Sequence, residues 1–221
     1  MPTRLPLFPL SVVLFPGTPL PLHIFEPRYR RLLTDCLATD RRFGITPPGA
    51  ADEAPEAGVV GCTAIVRVNQ EVPDGRSNIV VLGGERFVVS RLVDEPVPYL
   101  VALVEPFEDD PGTVPAPERI AALREEFARY AALVRELSDV EADETELPAD
   151  ALALSFHVAA SLDVEARIKQ RLLAERSTAR RVEALLSVLP ALGTVVERAL
   201  EVHRRAHGNG RGHAMPTIPG A

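Results

Sequence analysis

The sequence predicts an α+β fold, with a β-rich N-terminal part followed by an α-helical C-terminal part. Residues 1–112 hold 15 of the 21 prolines, together with short apolar runs rich in Val, Ile and Leu. Proline lacks a backbone N–H and clashes inside a helix, so these runs indicate strands separated by turns. From Pro117 onward, apolar residues instead recur at steps of three and four, which is typical of a helix with one buried face.

Seven segments of the N-terminal part are predicted to be strands, because each is apolar and is bounded by turn residues. Turns are expected at Pro73-Asp74-Gly75 and at Gly83-Gly84. One short helix interrupts the strands near Glu26, since Tyr29 and the apolar residues up to Leu37 share a helical face. The predicted strands are Ser11–Phe15, Leu20–Ile24, Phe43–Thr46, Gly58–Asn69, Ser77–Leu82, Glu85–Val93 and Tyr99–Pro106.

The C-terminal part is predicted to form a bundle of four helical segments. Pro190 and Gly193 interrupt the last of them, so we expect a kink or a restart before residues 195–203. The helical segments are one from Pro117, Ala149–Leu162, Val164–Ala174, and one from near Ser177, which is a suitable N-cap. The expected domains are a β-domain at 1–112, a helical bundle at 113–206, and a disordered Gly- and Pro-rich tail at 207–221.

Charge, hydropathy and cysteine usage exclude several classes of protein. The net charge of −7 argues against a nucleic-acid binder, which usually presents a basic face. No stretch reaches eighteen uninterrupted apolar residues and no signal-peptide cleavage site follows the N-terminus, so we expect a cytoplasmic protein without a membrane span. Cys36 and Cys62 form no CxxC motif, and neither has a histidine nearby at the spacing of metal ligands. This predicts buried free thiols and no zinc. A single disulfide between them is the alternative.

Catalytic motifs are missing from the sequence. Lys169 is the only lysine and lies between Ile168 and Gln170, so there is no Gly-Lys-Ser/Thr phosphate loop. No serine lies in a G-x-S-x-G nucleophile elbow, and the five histidines form no HExxH pair. The sequence therefore predicts a protein that is not an enzyme and that uses no cofactor or metal.

Binding residues are sought where the strands meet the helices, because a groove between such layers is a common ligand location. Phe15, Phe25 and Tyr29 would line this groove and contact apolar polypeptide segments; the alternative is that these aromatic residues form the core. Arg28 is expected to form a structural ion pair with Glu26, with a ligand contact as the alternative. Exposed sheet edges could also accept an added strand from a peptide.

One family resemblance is specific enough to name. The run from Leu5 to Leu33 and several later segments resemble the N-terminal substrate-binding domain of Lon proteases, over roughly residues 4–189. The later segments are Phe43-Gly44-Ile45, Gly61-Cys62-Thr63-Ala64-Ile65, Pro73-Asp74-Gly75, Gly84-Glu85-Arg86-Phe87 and Lys169-Gln170-Arg171-Leu172-Leu173.

This resemblance implies a PUA-like β pseudobarrel followed by a helical bundle, as a stand-alone module without the ATPase and peptidase domains of Lon. The implied function is ATP-independent binding of unfolded or damaged polypeptides, or of a separate protease or chaperone. An RNA-binding or small-molecule-binding PUA-like module is the alternative. The candidate contact residues are Phe15, Phe25, Arg28, Tyr29, Arg86 and Phe87.

Overall fold

The computed structural model describes residues 2–50, 54–138 and 146–209, and it confirms the α+β class. The N-terminal elements are β1 (Thr3–Pro9), β2 (Pro19–Ile24), α1 (Pro27–Leu37), β3 (Arg42–Thr46), β4 (Val60–Glu71), β5 (Ser77–Val93) and β6 (Leu100–Pro106). The helices that follow are α2 (Pro117–Leu137), α3 (Ala151–Ser161), α4 (Ala166–Ala174) and α5 (Thr178–Asn209). The expected tail lies outside the described residues from position 210 onward.

The six strands form one sheet that closes on itself. Their order is β2-β5-β4-β3-β1-β6, and β5 also pairs with β6, so five strands complete a barrel and β2 is attached outside it. Only β1 and β3 run parallel; the other pairs of neighbours are antiparallel. Closure depends on the 17-residue strand β5. One of its edges pairs with β4 from Ser77 to Val88, while β2 pairs with it near its start and β6 near its end.

The barrel interior is filled by aliphatic side chains around Phe87. Leu5 and Leu7 of β1 pack there with Phe87 and Val89 of β5, and all four are buried. Gly61 lies directly under the Phe87 ring, and a side chain at that position would collide with the ring. On the outside, α1 covers the barrel through Tyr29, whose ring centroid lies 3.9 Å from that of Phe8.

The strand prediction is wrong at two places. Residues 11–15 are not a strand, and the first strand is instead β1, which contains two prolines. Gly83-Gly84 is not a turn, because β5 continues through both residues. The backbone of Gly83 is instead hydrogen-bonded to the preceding turn: Gly17 N donates to its carbonyl at 2.8 Å, and its N–H donates to Thr18 O at 2.9 Å.

The chain divides into two compact units, Met1–Pro115 with Leu147–Arg181, and Ala116–Glu146 with Val182–Ala221. This division differs from the compositional boundary at residue 112, because α3 and α4 pack on the barrel. The Phe156 ring of α3 lies 6.1 Å from that of Phe15, and Gln170 Nε2 of α4 donates to Val60 O at 2.7 Å. The first unit is therefore a barrel with three helices rather than strands alone.

The second unit contains α2 and most of α5, which run parallel. Arg119 pairs with Glu183 near the start of α2, and Glu136 pairs with Arg204 near its end. Of the kink or restart expected at Pro190, the restart is wrong, because α5 is continuous from Thr178 to Asn209.

Gly193 of α5 provides a direct test of helix propensity. An added Cβ would meet no atom within 4 Å, and glycine costs about 1 kcal/mol more than alanine inside a helix. Gly193→Ala is therefore expected to raise the free energy of unfolding by about 0.5–1 kcal/mol, measured by urea denaturation. A destabilised variant would show that the helix requires glycine here for a reason other than space.

Candidate functional site

An exposed apolar surface lies on one face of the three neighbouring strands β2, β5 and β4. Directly opposed residues in antiparallel strands share a face, so the register defines this surface. Pro21 lies opposite Val80, which lies opposite Val68. One row along, the opposed residues are Pro19, Leu82 and Ile65. We call these six residues the outer face. Pro19, Pro21 and Val68 are exposed, and Val68 is 52 % exposed.

Phe25 extends the outer face. His23, two residues further along β2 from Pro21, lies opposite Asn78, and its Nδ1 is 2.7 Å from the Asn78 Oδ1. The Phe25 ring stacks on the His23 ring, with 6.0 Å between centroids and 23° between planes. Phe25 remains 59 % exposed, so a large aromatic surface adjoins the aliphatic rows. Exposed apolar surface of this kind typically marks a site that contacts another molecule.

The free edge of β2 is poorly suited to adding a strand. Among the residues that the structure describes, β2 pairs only with β5, which leaves its other edge without a neighbouring strand. Thr18 O accepts the Gly83 N–H, so Thr18 is a hydrogen-bonded position. Such positions alternate along an antiparallel pair, and therefore Leu20 and Leu22 are the β2 residues whose backbone groups bond to β5. Pro19 and Pro21 therefore point their nitrogens to the free edge, where they offer no donor. A ligand is expected to lie on the face rather than along this edge.

Two further candidate residues, Arg28 and Tyr29, lie at the start of α1. The Arg28 guanidinium pairs with Glu26 at 2.9 Å, which is the structural ion pair that the sequence predicts, and it lies 4.5 Å from the centroid of the Tyr29 ring. Burial raises the pKa of Tyr29, with Glu26 acting in the same direction and Arg28 opposing it. Tyr29 is buried against Phe8, so only Arg28 of this pair presents its side chain to solvent.

The remaining candidates are interior residues. Phe15 is completely enclosed and packs on Phe156, while Phe87 fills the barrel. The structure thus separates the six predicted residues into an exposed pair, Phe25 and Arg28, and four residues whose side chains form part of the packing, Phe15, Tyr29, Arg86 and Phe87.

Arg86 belongs to a buried ionic network with Arg181. Both guanidiniums pair with Asp109, which follows β6. Arg86 also donates to the carbonyls of Leu173 and Glu175, at 2.6 and 2.9 Å, near the end of α4. Burial lowers the pKa of both arginines, and the Asp109 carboxylate opposes this effect. The network fastens α4 to the barrel, which gives Arg86 a structural role.

The nucleophiles and metal ligands do not form a catalytic arrangement. Cys36 and Cys62 are free and buried, and burial raises the pKa of each thiol to about 12, far from the range of a reactive thiolate. Burial lowers the pKa of Lys169, but its ammonium donates to Ala160 O at 2.9 Å on the helical side of the barrel. Within residues 2–50, 54–138 and 146–209, no group of three potential ligands could hold a metal ion.

Sequence reasoning missed most of the outer face, although one signal was present. Ile79 to Leu82 is an unbroken apolar run in β5, and a strand with apolar residues on both faces has two surfaces to cover. Ile79 and Val81 are buried, whereas Val80 and Leu82 face the other side and stay half-exposed. The consecutive run therefore indicated an apolar surface that the domain itself does not fully bury.

Comparison with known proteins identifies the family. A family model described as the ATP-dependent protease La (LON) substrate-binding domain matches residues 4–190. The chain belongs to this family. Lon protease from Cytophaga hutchinsonii is 24 % identical over 221 residues, covering 93 % of this chain and 26 % of the relative. Lon protease 1 from Syntrophobacter fumaroxidans is 27 % identical over 188 residues, covering 82 % and 23 %. The chain spans about a quarter of the length of these Lon proteases.

Solved structures share the fold. The Lon N-terminal domain protein from Xanthomonas campestris superposes with a TM-score of 0.62 at 28 % identity, covering 84 % of this chain and 98 % of that chain. The N-terminal domain of the Mycobacterium avium complex Lon protease gives a TM-score of 0.65 at 18 % identity, covering 85 % and 98 %. These likenesses confirm the PUA-like barrel of the Lon N-terminal domain. Among the helices in the described part of the chain, none is both long and apolar enough to cross a membrane.

Proposed function

We propose that this Lon-family domain is a non-catalytic module that binds unfolded or damaged polypeptides on its outer face. The observation that carries the proposal is the exposed apolar surface formed by Pro21, Val80 and Val68, with the exposed Phe25 ring beyond the neighbouring polar row of His23, Asn78 and Gln70. Unfolded chains expose apolar side chains that a folded protein buries. Transfer of such side chains from water to this surface is worth about 25 cal/mol per Å² of apolar area.

Two features of the surface suit a promiscuous polypeptide ligand. It is a face and not a deep pocket, so it sets no strict limit on the size of the bound side chains. The prolines at its edge offer no backbone donor, which disfavours a bound strand in a fixed register. Binding would therefore depend on the apolar content of the ligand more than on its sequence. Membership of the Lon substrate-binding family supports the same conclusion. In the cytoplasm, a module of this kind would hold clients for a separate protease or chaperone.

RNA is a weaker candidate ligand for this surface. A single-stranded nucleic-acid platform combines exposed aromatic rings with a basic groove. The outer face contains no arginine or lysine, and the chain carries a net charge of −7.

The proposal is tested by making the outer face polar. A Phe25→Ser/Val68→Ser double variant is expected to weaken binding of a fluorescently labelled unfolded model protein at least tenfold, measured by anisotropy. Both side chains are more than half exposed, so the fold should tolerate the change. Circular dichroism and a urea melt would verify that the variant is folded.

The matched control is a Val195→Ser/Val202→Ser double variant, because these α5 residues are similarly exposed, at 62 % and 65 %. The control is expected to bind like the wild type. Absence of saturable binding by the wild type at tens of micromolar would contradict the proposal, as would equal loss of affinity in both double variants.

A further inference from the structure

Three exposed arginines lie next to one another beside the outer face: Arg41, Arg42 and Arg67. Across the described part of the chain, none of their guanidiniums has a hydrogen-bond or ion-pair partner. The nearby Asp40 accepts the backbone N–H of Arg42 at 3.2 Å rather than its side chain. Arg28 and Arg31 of α1 differ, since each of them pairs with a neighbouring acid.

Two backbone irregularities bring these arginines together. Arg41 has φ 62°, the only positive φ of a non-glycine residue in the described chain, and this left-handed conformation is strained for an L-residue. Its carbonyl accepts the Val66 N–H at 2.9 Å. The register of β4 against β5 then shifts between Val66 and Val68, so Arg67 is the extra residue of a bulge. Bulges re-aim side chains and recur near functional sites.

The arginine cluster adjoins the outer face through the strand register. Arg42 lies directly opposite Ile65, which is a member of that face. Arg42 also lines a groove of about 460 Å³ together with Arg4 and Arg31. Among the described residues, two acids line this groove: Asp35 accepts from Arg31 and from the Tyr99 hydroxyl, while Asp40 accepts only the backbone N–H of Arg42. Arg4 pairs with Glu95. The Arg42 guanidinium therefore forms no ion pair with the described residues and lies at the border of the outer face.

Adjacent like charges that form no direct ion pair are unfavourable, so a cluster of three arginines beside the single acid Asp40 favours an anionic partner. Guanidinium groups match carboxylates with two parallel hydrogen bonds. No exposed aromatic ring accompanies Arg41, Arg42 or Arg67 to stack on a base, and the chain's net charge of −7 repels a long polyanion. Short acidic stretches of polypeptide fit this surface better than nucleic acid.

We infer that the domain selects polypeptides in which acidic residues lie next to an apolar segment, with Arg42 and Arg67 binding the carboxylates while the outer face binds the apolar side chains. This inference rests on the proposed polypeptide binding and names its substrate class. Exposed ion pairs contribute little singly, so the preference that two arginines give is about five- to tenfold at low salt.

The test compares three labelled peptides that share one apolar segment and end in three serines, three glutamates or three lysines. The wild type is expected to bind the glutamate peptide about five- to tenfold more tightly than the serine peptide, and this ratio should approach one at 0.5 M NaCl. An Arg42→Gln/Arg67→Gln double variant should lose the ratio and still bind the serine peptide normally. Arg41 is left intact because its backbone conformation complicates substitution.

The matched control is Arg171→Gln/Arg198→Gln, which removes the same charge from two exposed arginines on α4 and α5. It should keep the preference for glutamate. Equal binding of the serine and glutamate peptides by the wild type, or a preference that survives in Arg42→Gln/Arg67→Gln, would overturn the inference and leave the proposed function standing. Failure of the serine peptide to bind would overturn the proposed function itself. An oligonucleotide that displaces the glutamate peptide at equal charge concentration would reject the choice of an acidic polypeptide.

Discussion

Replacing Asp109 by asparagine is expected to lower the free energy of unfolding by about 3–5 kcal/mol, the range found when one partner of a buried ion pair is removed. Asp109 is the acid that neutralises both Arg86 and Arg181, whose side chains are 4 % and 0 % exposed. An amide still accepts a hydrogen bond but carries no charge. Two guanidiniums would then remain buried together with no carboxylate in direct contact and only neutral hydrogen-bond partners.

The measurement is urea denaturation of the variant beside Asp110→Asn, which changes the neighbouring residue in the same way. Asp110 pairs with Arg176 at 3.0 Å, but both side chains are nearly half exposed, so its loss should cost less than 1 kcal/mol. A similar small cost at both positions would show that the buried network does not hold the helices on the barrel.

Loss of the network is expected to lower stability without changing the affinity for polypeptide. Arg86 donates to the carbonyls that end α4, and none of the residues of the network belongs to the outer face. At temperatures where Asp109→Asn remains folded, its affinity for an unfolded polypeptide should therefore match that of the wild type. Arg86 acts on the fold, and its substitution is not a test of the proposed binding surface.

The helices could be predicted from the sequence because local signals determine them. Pro27 and Pro117 occupy the first helical positions of α1 and α2, where a missing N–H costs nothing. Ser177 caps α5 by accepting the Arg180 N–H at 3.2 Å. Pro190 does not end α5 as the restart prediction had it, because a single missing hydrogen bond in a 32-residue helix is outweighed by the packing on either side of it.

The first strand could not be predicted, because its prolines are tolerated only through a long-range stagger. β1 pairs with β6 from Thr3 to Leu7 and with β3 from Leu7 to Pro9, so the two pairings overlap only at Leu7. Pro6 and Pro9 each have a neighbouring strand on one side alone, which leaves an edge that needs no donor. Nothing in residues 3–9 themselves indicates where β3 and β6 end.

Only part of the candidate site could be predicted, because the burial of its residues also depends on segments that are distant in the sequence. Phe15, Phe25 and Phe87 look alike in the sequence, since each lies among apolar residues close to proline or glycine. Their burial differs because α3 covers Phe15 and the barrel closes around Phe87, whereas β2 ends before Phe25 and leaves it on the surface. Burial of this kind depends on contacts between distant segments, which periodicity does not report.

Gly83→Ala is expected to destabilise the domain by about 3 kcal/mol or more, because the methyl group would collide with backbone and not with a movable side chain. A Cβ at this position would overlap the Phe15 carbonyl oxygen and lie 2.7 Å from its carbonyl carbon. The Phe15–Thr18 turn is hydrogen-bonded to Gly83 on both sides, so it cannot move away without losing those bonds. Overpacking alone costs about 1–3 kcal/mol, and the broken hydrogen bonds add to it.

The adjacent Gly84→Ala is the matched control, since its Cβ would come no closer than 3.3 Å, to the terminal methyl of Ile65. Ile65 is half-exposed and can shift by the few tenths of an ångström required, so the cost should stay below about 1 kcal/mol. The pair also separates two explanations for the double glycine. If both substitutions cost the same, flexibility of β5 is what matters; if Gly83→Ala alone is costly, the glycine is needed because the turn that leads into β2 packs directly on the strand.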